Sequence, residues 1–383
     1  MRIGVDVRVL TKQKTSGVEE YTRLLLSALF RRMPQDSFEL YFNAFRKAPL
    51  PADWSGLANV SVINRRVPNK FFDVASRALR IPSSRIFSSP DIVFSPHITL
   101  FHVRPPVRHV MFVHDISFEH YPEFFPPRKR LWHWQQNYRN EMRRAAAVIV
   151  GTEFTKNDIV STLGVSPERV TVIPLGLNPF YRKLPKKDPD LAAFRAQRGL
   201  VAPFLLYAGT LEPRKNIGAV IRAFGLLKKD ARFRDLKLVL AGAPGWLYRS
   251  VFREAATSEA ASDILFWGSA TFTELRSLYN LAEAFVFPSF FEGFGLPPLE
   301  AQACGTPVIV SNRSSLPEVI GSSGMLVDPW DIGGIAEALH TLLSDDALRA
   351  HYAARGLENA ARFDWEATAD RYAELFRKLS TDS

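Results

Sequence analysis

Short apolar runs punctuate this chain, and between them lie stretches whose apolar residues recur every three or four positions. The runs at 2–6, 38–42, 60–63, 92–94, 108–113, 146–150 and 169–173 predict strands in the first half. Between the first two, Tyr21, Leu24, Leu25, Ala28 and Leu29 fall at i, i+3, i+4, i+7 and i+8, one buried stripe of a helix. Further helices are expected over 71–79 and 126–144, the latter with Leu131, Trp134, Tyr138 and Met142 as a core-facing stripe. Another runs from an N-cap at Thr152 to a stop at Gly164. The second half repeats the pattern, with strands at 204–208, 236–241, 264–267, 284–287, 307–310 and 325–327. Its helices carry Ile217, Val220, Ile221 and Phe224 on one face, a capping box at Thr271-x-x-Glu274, and apolar positions through 332–343 and 365–379. Strands alternating with helices predict an α/β protein of doubly wound parallel sheets. The stretch 174–203, rich in Pro, Lys and Asp, marks a change of domain, giving domains 1–180 and 181–364. Its Asp188-Pro-Asp190 is formally a D-x-D, but no strand precedes it, so it reads as solvated turn residues.

Candidate chemistry gathers where strands give way to helices. The segment 284–310 reads strand, glycine loop, short helix, strand, with Pro297-Pro298 opening the helix and Gly305 closing it. Such a loop, at the carboxyl end of a strand and the amino end of a helix, is where α/β sheets bind ligands and free amides receive anions. The amides of Phe294, Gly295 and Leu296 suit phosphate, while Glu292 and Glu300, separated by seven residues, suit vicinal hydroxyls. The ligand this implies is a nucleotide joined to a sugar. A second strand-to-helix turn, Gly209 to Asn216, carries adjacent Arg214 and Lys215, a phosphate clamp of one forked and one point-like cation. In the first half, Gly17 opens a helix where backbone can approach a ligand, and His114-Asp115 sits at the carboxyl end of a strand facing the same crevice.

The 383 residues suffice for two domains, and 46% apolar with 23% charged residues is ordinary globular composition. The single cysteine, Cys304, excludes an internal disulfide and reads as a buried structural thiol in a reducing cytoplasm. No apolar run approaches the roughly 18 residues of a spanning helix, and a strand beginning at Arg2 predicts no signal peptide. The net charge is +10, with basic residues concentrated in the first half, including Arg128-Lys129-Arg130 and Arg143-Arg144. An anionic membrane or a phosphorylated acceptor would answer that charge, as would solvation alone. No zinc-ligand spacing or nucleic-acid motif accompanies it, so nucleic acid is not expected as a partner.

The string EGFGLPPLE, residues 292–300, resembles the E-x7-E signature of retaining GT-B glycosyltransferases, especially glycosyltransferase family 4. VHDISFEHYPEFF resembles the VHD-containing segment of a subgroup that includes many mannosyltransferases, VGTEFTKNDI is similar to a family landmark, and the final helix to the one that crosses back onto the first domain. The resemblance implies two Rossmann-like domains facing across a cleft, residues of about 365–383 joining the first. It implies that Arg214 and Lys215 bind the donor diphosphate, Glu292 the sugar hydroxyls and Glu300 the ribose, and that His114 lies beside the transferred sugar. Gly268, Ser269 and Ala270 would line the base pocket; Gly293 belongs to the glycine loop. Thr210 stands where other members carry arginine; it remains a donor-site candidate by position only. The implied activity is retaining, metal-independent hexosyl transfer without a cofactor, the leaving phosphate taking the acceptor proton. GDP-mannose is the expected donor and a glycan or lipid-linked oligosaccharide of cell-surface polysaccharide synthesis the acceptor. A UDP-sugar donor is the alternative, and a nucleotide-sugar isomerase or hydrolase a further one. The expected location is cytoplasmic, peripheral at the inner face of the membrane through the basic first domain.

Overall fold

Apolar runs become parallel strands, and the helices between them cover both faces of each sheet. The computed structural model describes residues 1–12, 17–43, 51–54, 56–65, 83–99, 101–185 and 187–381. The helix expected over 71–79 lies outside them. The chain forms two compact units. One comprises Met1–Ile116, Pro127–Gly176 and Phe363–Ser383, the other Ser117–Pro126 and Leu177–Arg362.

The first unit is built on strands β1 (Arg2–Asp6), β2 (Ser37–Tyr41), β3 (Val60–Ile63), β4 (Ile92–Ser95), β5 (Arg108–Val113), β6 (Ala147–Val150) and β7 (Val170–Val172). They pair in the order β3-β2-β1-β4-β5-β6-β7, every pair parallel. The order reverses between β1 and β4, a topological switch point. Helix α1 (Gly17–Arg32) buries Tyr21, Leu25, Ala28 and Leu29 of the expected stripe, while Leu24 is half-buried and Leu26, outside the stripe, is buried. Against it packs the chain's last helix, Trp365–Thr381, through a Tyr21–Tyr372 hydroxyl contact of 2.6 Å. Phe94 of β4 meets Tyr372 and Phe376 edge-on, so that helix completes this unit's core. Gly176 is required at its junction with the helix, because a Cβ there would lie 2.5 Å from the Trp365 ring.

The expected helix over 126–144 is two. Helices α3 (Pro127–Gln135) and α4 (Tyr138–Arg144) follow the one-turn α2 (Ser117–His120), and the break between them falls at Asn137, whose φ of 52° is left-handed. The break rotates the supposed stripe apart. Tyr138 and Met142 are buried as expected, whereas α3 buries no residue at all and exposes Leu131 and Trp134. Helix α5 (Glu153–Leu163) has the expected Thr152 N-cap and a left-handed Gly164.

The second unit repeats the plan with β8 (Phe204–Ala208), β9 (Lys237–Ala241), β10 (Ile264–Gly268), β11 (Ala284–Phe287), β12 (Val308–Ser311) and β13 (Met325–Val327). These pair in the order β10-β9-β8-β11-β12-β13, all parallel. Its switch point lies between β8 and β11. Its helices are α6 (Pro189–Gln197), α7 (Ile217–Leu227), α8 (Arg249–Thr257), α9 (Phe272–Leu281), α10 (Leu296–Ala303), α11 (Leu316–Ile320), α12 (Ile332–Ser344) and α13 (Asp346–Ala360). Asp188 of the D-x-D is the N-cap of α6, accepting from the amides of Asp190 and Leu191, so the stretch read as a linker contains a helix. The segment Ser117–Pro126 groups with this unit although its neighbours in sequence belong to the first. Its aromatic residues explain why: Phe124 stacks on Phe290 at 5.6 Å, His120 on Phe291 at 5.4 Å and Phe125 on Trp246 at 5.6 Å. The Trp246 indole also donates to the Phe124 carbonyl at 2.5 Å.

Candidate active site

The loops leaving β8 and β11, on either side of the second switch point, are stitched to each other. After β8 the chain makes a tight turn at Pro213–Lys215 and passes through Asn216 at a φ of 55°. The Asn216 amide donates to the carbonyls of Pro288 (3.1 Å) and Pro329 (2.7 Å). In return the Phe290 N–H and the Ser289 hydroxyl both donate to the Arg214 carbonyl, at 2.9 and 3.1 Å. These bonds fix the backbones from which the charged side chains project.

Those side chains meet. The Lys215 ammonium lies 2.6 Å from Glu292 Oε1, and Arg214 Nη1 lies 3.1 Å from Glu292 Oε2. Ser289 donates to Glu292 Oε1 at 2.6 Å, and Arg214 Nη1 also donates to the Phe291 carbonyl. Glu212 Oε1 accepts from Arg214 Nε and Nη2 at 3.2 and 2.9 Å. Glu212, Lys215 and Glu292 are buried and Arg214 half-buried. Burial pushes the Glu292 carboxyl up, but Arg214 and Lys215 outweigh it and hold the group at about 2. Burial pulls the Lys215 ammonium below its usual value, and the Glu292 carboxylate opposes that shift. Two cations face two carboxylates, and the cluster is formally neutral. Arriving phosphate oxygens would compete with Glu292 for both cations.

The glycine loop is held from its other side by the turn after β12. Ser314 Oγ accepts from the Glu292 N–H at 2.9 Å, and Ser315 Oγ donates to the carbonyls of Glu292 (2.8 Å) and Phe294 (3.2 Å). Gly295 enters α10 at a φ of 105°, and a Cβ there would meet Leu316 at 2.6 Å, so only glycine fits. Pro297 and Pro298 fill the first turn of α10 and carry no N–H. Leu296 and the loop residues Gly293, Phe294 and Gly295 therefore supply the amides at this terminus. Glu300 lies further along α10, buried, and accepts from the Tyr279 hydroxyl of α9 at 2.8 Å. Burial, reinforced by Glu300, pushes the neighbouring Cys304 thiol to about 12, which fits a structural cysteine. Gly268, at a φ of 79°, ends β10 and turns the chain to exposed Ser269 and half-buried Ala270. Thr210 is exposed, its carbonyl accepting from Tyr207 Oη at 3.3 Å.

Two candidates belong to the first unit. Gly17 opens α1 exposed, and nothing lies within 4 Å of a Cβ placed there, so packing does not demand a glycine. His114 follows β5, edge-on to Tyr21 at 5.0 Å and to Phe112 at 4.7 Å. Burial lowers it to about 4 against the pull of Asp115, leaving it neutral at pH 7. Its Nε2 is buried with no hydrogen-bond partner among the described residues.

Sequence reasoning missed Glu212, Ser289, Asn216, Ser314, Ser315 and Tyr279. Glu212 stands beside the basic pair and was legible as its counter-ion. The serines act through bonds between loops distant in sequence, which leave no local motif. Among the described residues no three of His, Cys, Asp or Glu gather as a metal cage.

Comparison with known proteins identifies the family and the fold. Residues 15–179 match the family described as Glycosyltransferase Family 4, and residues 193–359 match Glycosyl transferases group 1. The chain is 34% identical over 273 residues to O-antigen chain mannosyltransferase B of Escherichia coli, covering 71% of each chain. It is 32% identical over 244 residues to the serotype-specific mannosyltransferase WbdA of Escherichia coli, covering 63% of this chain but only 30% of that longer one. The solved sucrose-phosphate synthase of Thermosynechococcus elongatus shares the fold, with a TM-score of 0.76 at 20% identity over 100% of both chains. The chain belongs to glycosyltransferase family 4, with the two Rossmann-like units of the GT-B architecture.

Proposed function

We propose that this protein transfers mannose from GDP-mannose to a glycan or lipid-linked oligosaccharide during cell-surface polysaccharide synthesis, with retention of anomeric configuration. The observation that carries the chemistry is the cluster of Arg214, Lys215 and Glu292 at the second switch point. The names of the relatives, O-antigen chain mannosyltransferase B and WbdA, support mannose and a polysaccharide product.

The steps follow from the charges. A donor diphosphate takes the guanidinium of Arg214 and the ammonium of Lys215, and Glu292, released from them, accepts hydrogen bonds from the sugar hydroxyls. The cations then neutralise charge that grows on the departing phosphate, the place where electrostatic stabilisation lowers the barrier most. They supply there the positive charge that a divalent ion supplies in other transferases. The amides of Phe294, Gly295 and Leu296 bind the diphosphate or the sugar, Gly293 keeping the loop free of a side chain. Glu300, oriented by Tyr279, receives the ribose hydroxyls, and the Gly268-Ser269-Ala270 turn and Thr210 contact the nucleotide through backbone. By the family resemblance, His114 and Gly17 are further candidates for contact with the substrate. The leaving phosphate accepts the proton of the attacking hydroxyl, so no protein nucleophile is needed. No helix of the described residues is long and apolar enough to cross a membrane, and a lipid-linked acceptor would be met at the inner membrane surface.

A panel of GDP-mannose, UDP-glucose, UDP-galactose and free nucleotides, read by melting temperature, tests the donor. Incubation with GDP-mannose and membrane extract, followed by mass spectrometry, tests transfer. A preferential shift with GDP-mannose and a glycan heavier by one hexose are expected. Stabilisation by UDP-sugars alone would overturn the donor, and donor breakdown without a lengthened glycan would make the protein a hydrolase.

A further inference from the structure

We infer that Trp330 is a stacking platform for a pyranose ring of the acceptor glycan, fixed beside the donor cations within the second unit. This rests on the transfer reading and deepens it by giving the acceptor a residue. Trp330 lies between β13 and α12 and is 64% exposed. It is not a stray apolar side chain on the surface. Its ring meets Phe290 at a centroid distance of 4.2 Å, Phe290 stacks on Phe124 at 5.6 Å, and Phe124 lies parallel to Tyr121 at 5.1 Å. Four rings form one row, Tyr121 and Phe124 half-buried, Phe290 buried, and the row ends on an indole with most of its surface in solvent.

Position and chemistry decide the occupant. The carbonyl of Pro329, one residue before the indole, accepts from Asn216, the neighbour of Lys215, at 2.7 Å. The Phe290 N–H donates to the Arg214 carbonyl at 2.9 Å. Both sides of the Phe290–Trp330 stack are therefore tied to the turn that carries the cations. A pyranose has a face of C–H groups that lies well on an indole, and hydroxyls around its rim. Groups suited to that rim stand beside the platform. Asp328 Oδ1 accepts from the Trp330 N–H at 3.0 Å, and its Oδ2 accepts from Arg313 Nη2 at 3.2 Å, the guanidinium being exposed. A carboxylate that accepts and a guanidinium that donates can both bond hydroxyls, and an aromatic surface with a few polar groups is the usual composition of a small-ligand site. In the proposed chemistry Glu292 holds the donor's own sugar. The indole packs on Phe290, two residues earlier, and offers a place for a second ring.

Titration of the full chain with a linear mannotriose in the absence of donor, read by saturation-transfer NMR, tests the inference. Trp330→Ala should bind about three- to tenfold more weakly, the range of one aromatic stacking contact. Trp330→Tyr, which keeps a ring, should bind like the wild type. Arg313→Gln alters only the polar rim and should cost about threefold, which keeps the test open where Trp330→Ala fails to fold. Trp132→Ala, which removes an exposed indole of the first unit, should change nothing. GDP and GDP-mannose should raise the melting temperature of each variant as they raise that of the wild type. A wild type stabilised by GDP-mannose but indifferent to mannotriose would overturn the platform and leave the transfer reading standing. Mannotriose binding that depends on Trp330 in a protein that no nucleotide sugar stabilises would do the reverse, leaving a glycan-binding surface. A Trp330→Ala protein that loses affinity for GDP-mannose but not for GDP would assign the indole to the donor sugar and overturn the acceptor role. So would a dimer that Trp330→Ala dissociates.

Discussion

Replacing Glu292 by alanine removes an acid that pairs with both Lys215 and Arg214. It leaves a buried ammonium and a half-buried guanidinium with Glu212 as their remaining carboxylate partner. Breaking a buried ion pair from one side costs about 3–5 kcal/mol. The carboxyl itself gives a similar figure, since holding it at about 2 rather than the usual 4.5 corresponds to about 3 kcal/mol. In a unit of roughly 200 residues each kcal/mol lowers the midpoint by about 2–4 °C, so a drop of about 6–20 °C is expected near pH 7. The sign with pH follows from the lowered value. The stabilisation is fully present above 4.5 and disappears as pH falls through 2, so the gap between wild type and variant should close in acid. Inorganic pyrophosphate makes the test specific. It can take the place beside both cations that the carboxylate vacates, so it should stabilise Glu292→Ala more than the wild type, in which it must displace that carboxylate. A hundredfold excess over its dissociation constant is worth about 2.7 kcal/mol. Calorimetry with and without pyrophosphate reads both effects. A variant that melts with the wild type at pH 7, or that gains nothing extra from pyrophosphate, would refute the account of a carboxylate standing in the anion's place.

Three further outcomes are expected. Tyr279→Phe, which removes only the hydroxyl held 2.8 Å from Glu300, should weaken nucleotide binding about three- to tenfold by calorimetric titration while leaving kcat at saturation nearly unchanged. His114→Ala should lower kcat by at least tenfold with little effect on free-nucleotide affinity. Because the ring sits at about 4 rather than the usual 6.5, wild-type stability should fall as pH drops through 6.5 toward 4, a slope the variant lacks. Glu141 carries the opposite sign, because burial raises it to about 7 against the pull of Arg144. Its contribution is complete below 4.5 and lost as pH rises through 7, so Glu141→Gln should raise the midpoint at pH 8 and not at pH 4.

Elements with one clear period were legible from residue order alone. The stripe from Tyr21 to Leu29, the Thr152 and Thr271 caps and the runs that became β5, β8 and β11 all form as their patterns require. Legibility failed where a backbone conformation interrupts a continuous pattern. Asn137 can adopt a left-handed φ, and that single residue turns Leu131 and Trp134 away from the side that Tyr138 and Met142 share. The helix at Pro189–Gln197 was hidden because an aspartate–proline start reads equally well as a turn. At the site, residue types showed which cations and acids to watch. They did not show that Lys215 and Arg214 close on Glu292, whereas Glu300 turns to Tyr279. Those pairings depend on loop bonds from Ser289, Asn216, Ser314 and Ser315, which are contacts between distant stretches and have no local signature.

The passage of Ser117–Pro126 into the second unit, and of Phe363–Ser383 into the first, bears on how this chain can be divided. A fragment cut at residue 180 would carry the whole second sheet, yet its Phe290, Phe291 and Trp246 would lose the rings of Phe124, His120 and Phe125 that shield them. The matching fragment would miss Tyr372 and Phe376 from its hydrophobic interior. The halves are therefore not modules: exchange of donor specificity between relatives must transplant the internal decapeptide together with Leu177–Arg362 and leave the recipient's own tail in place.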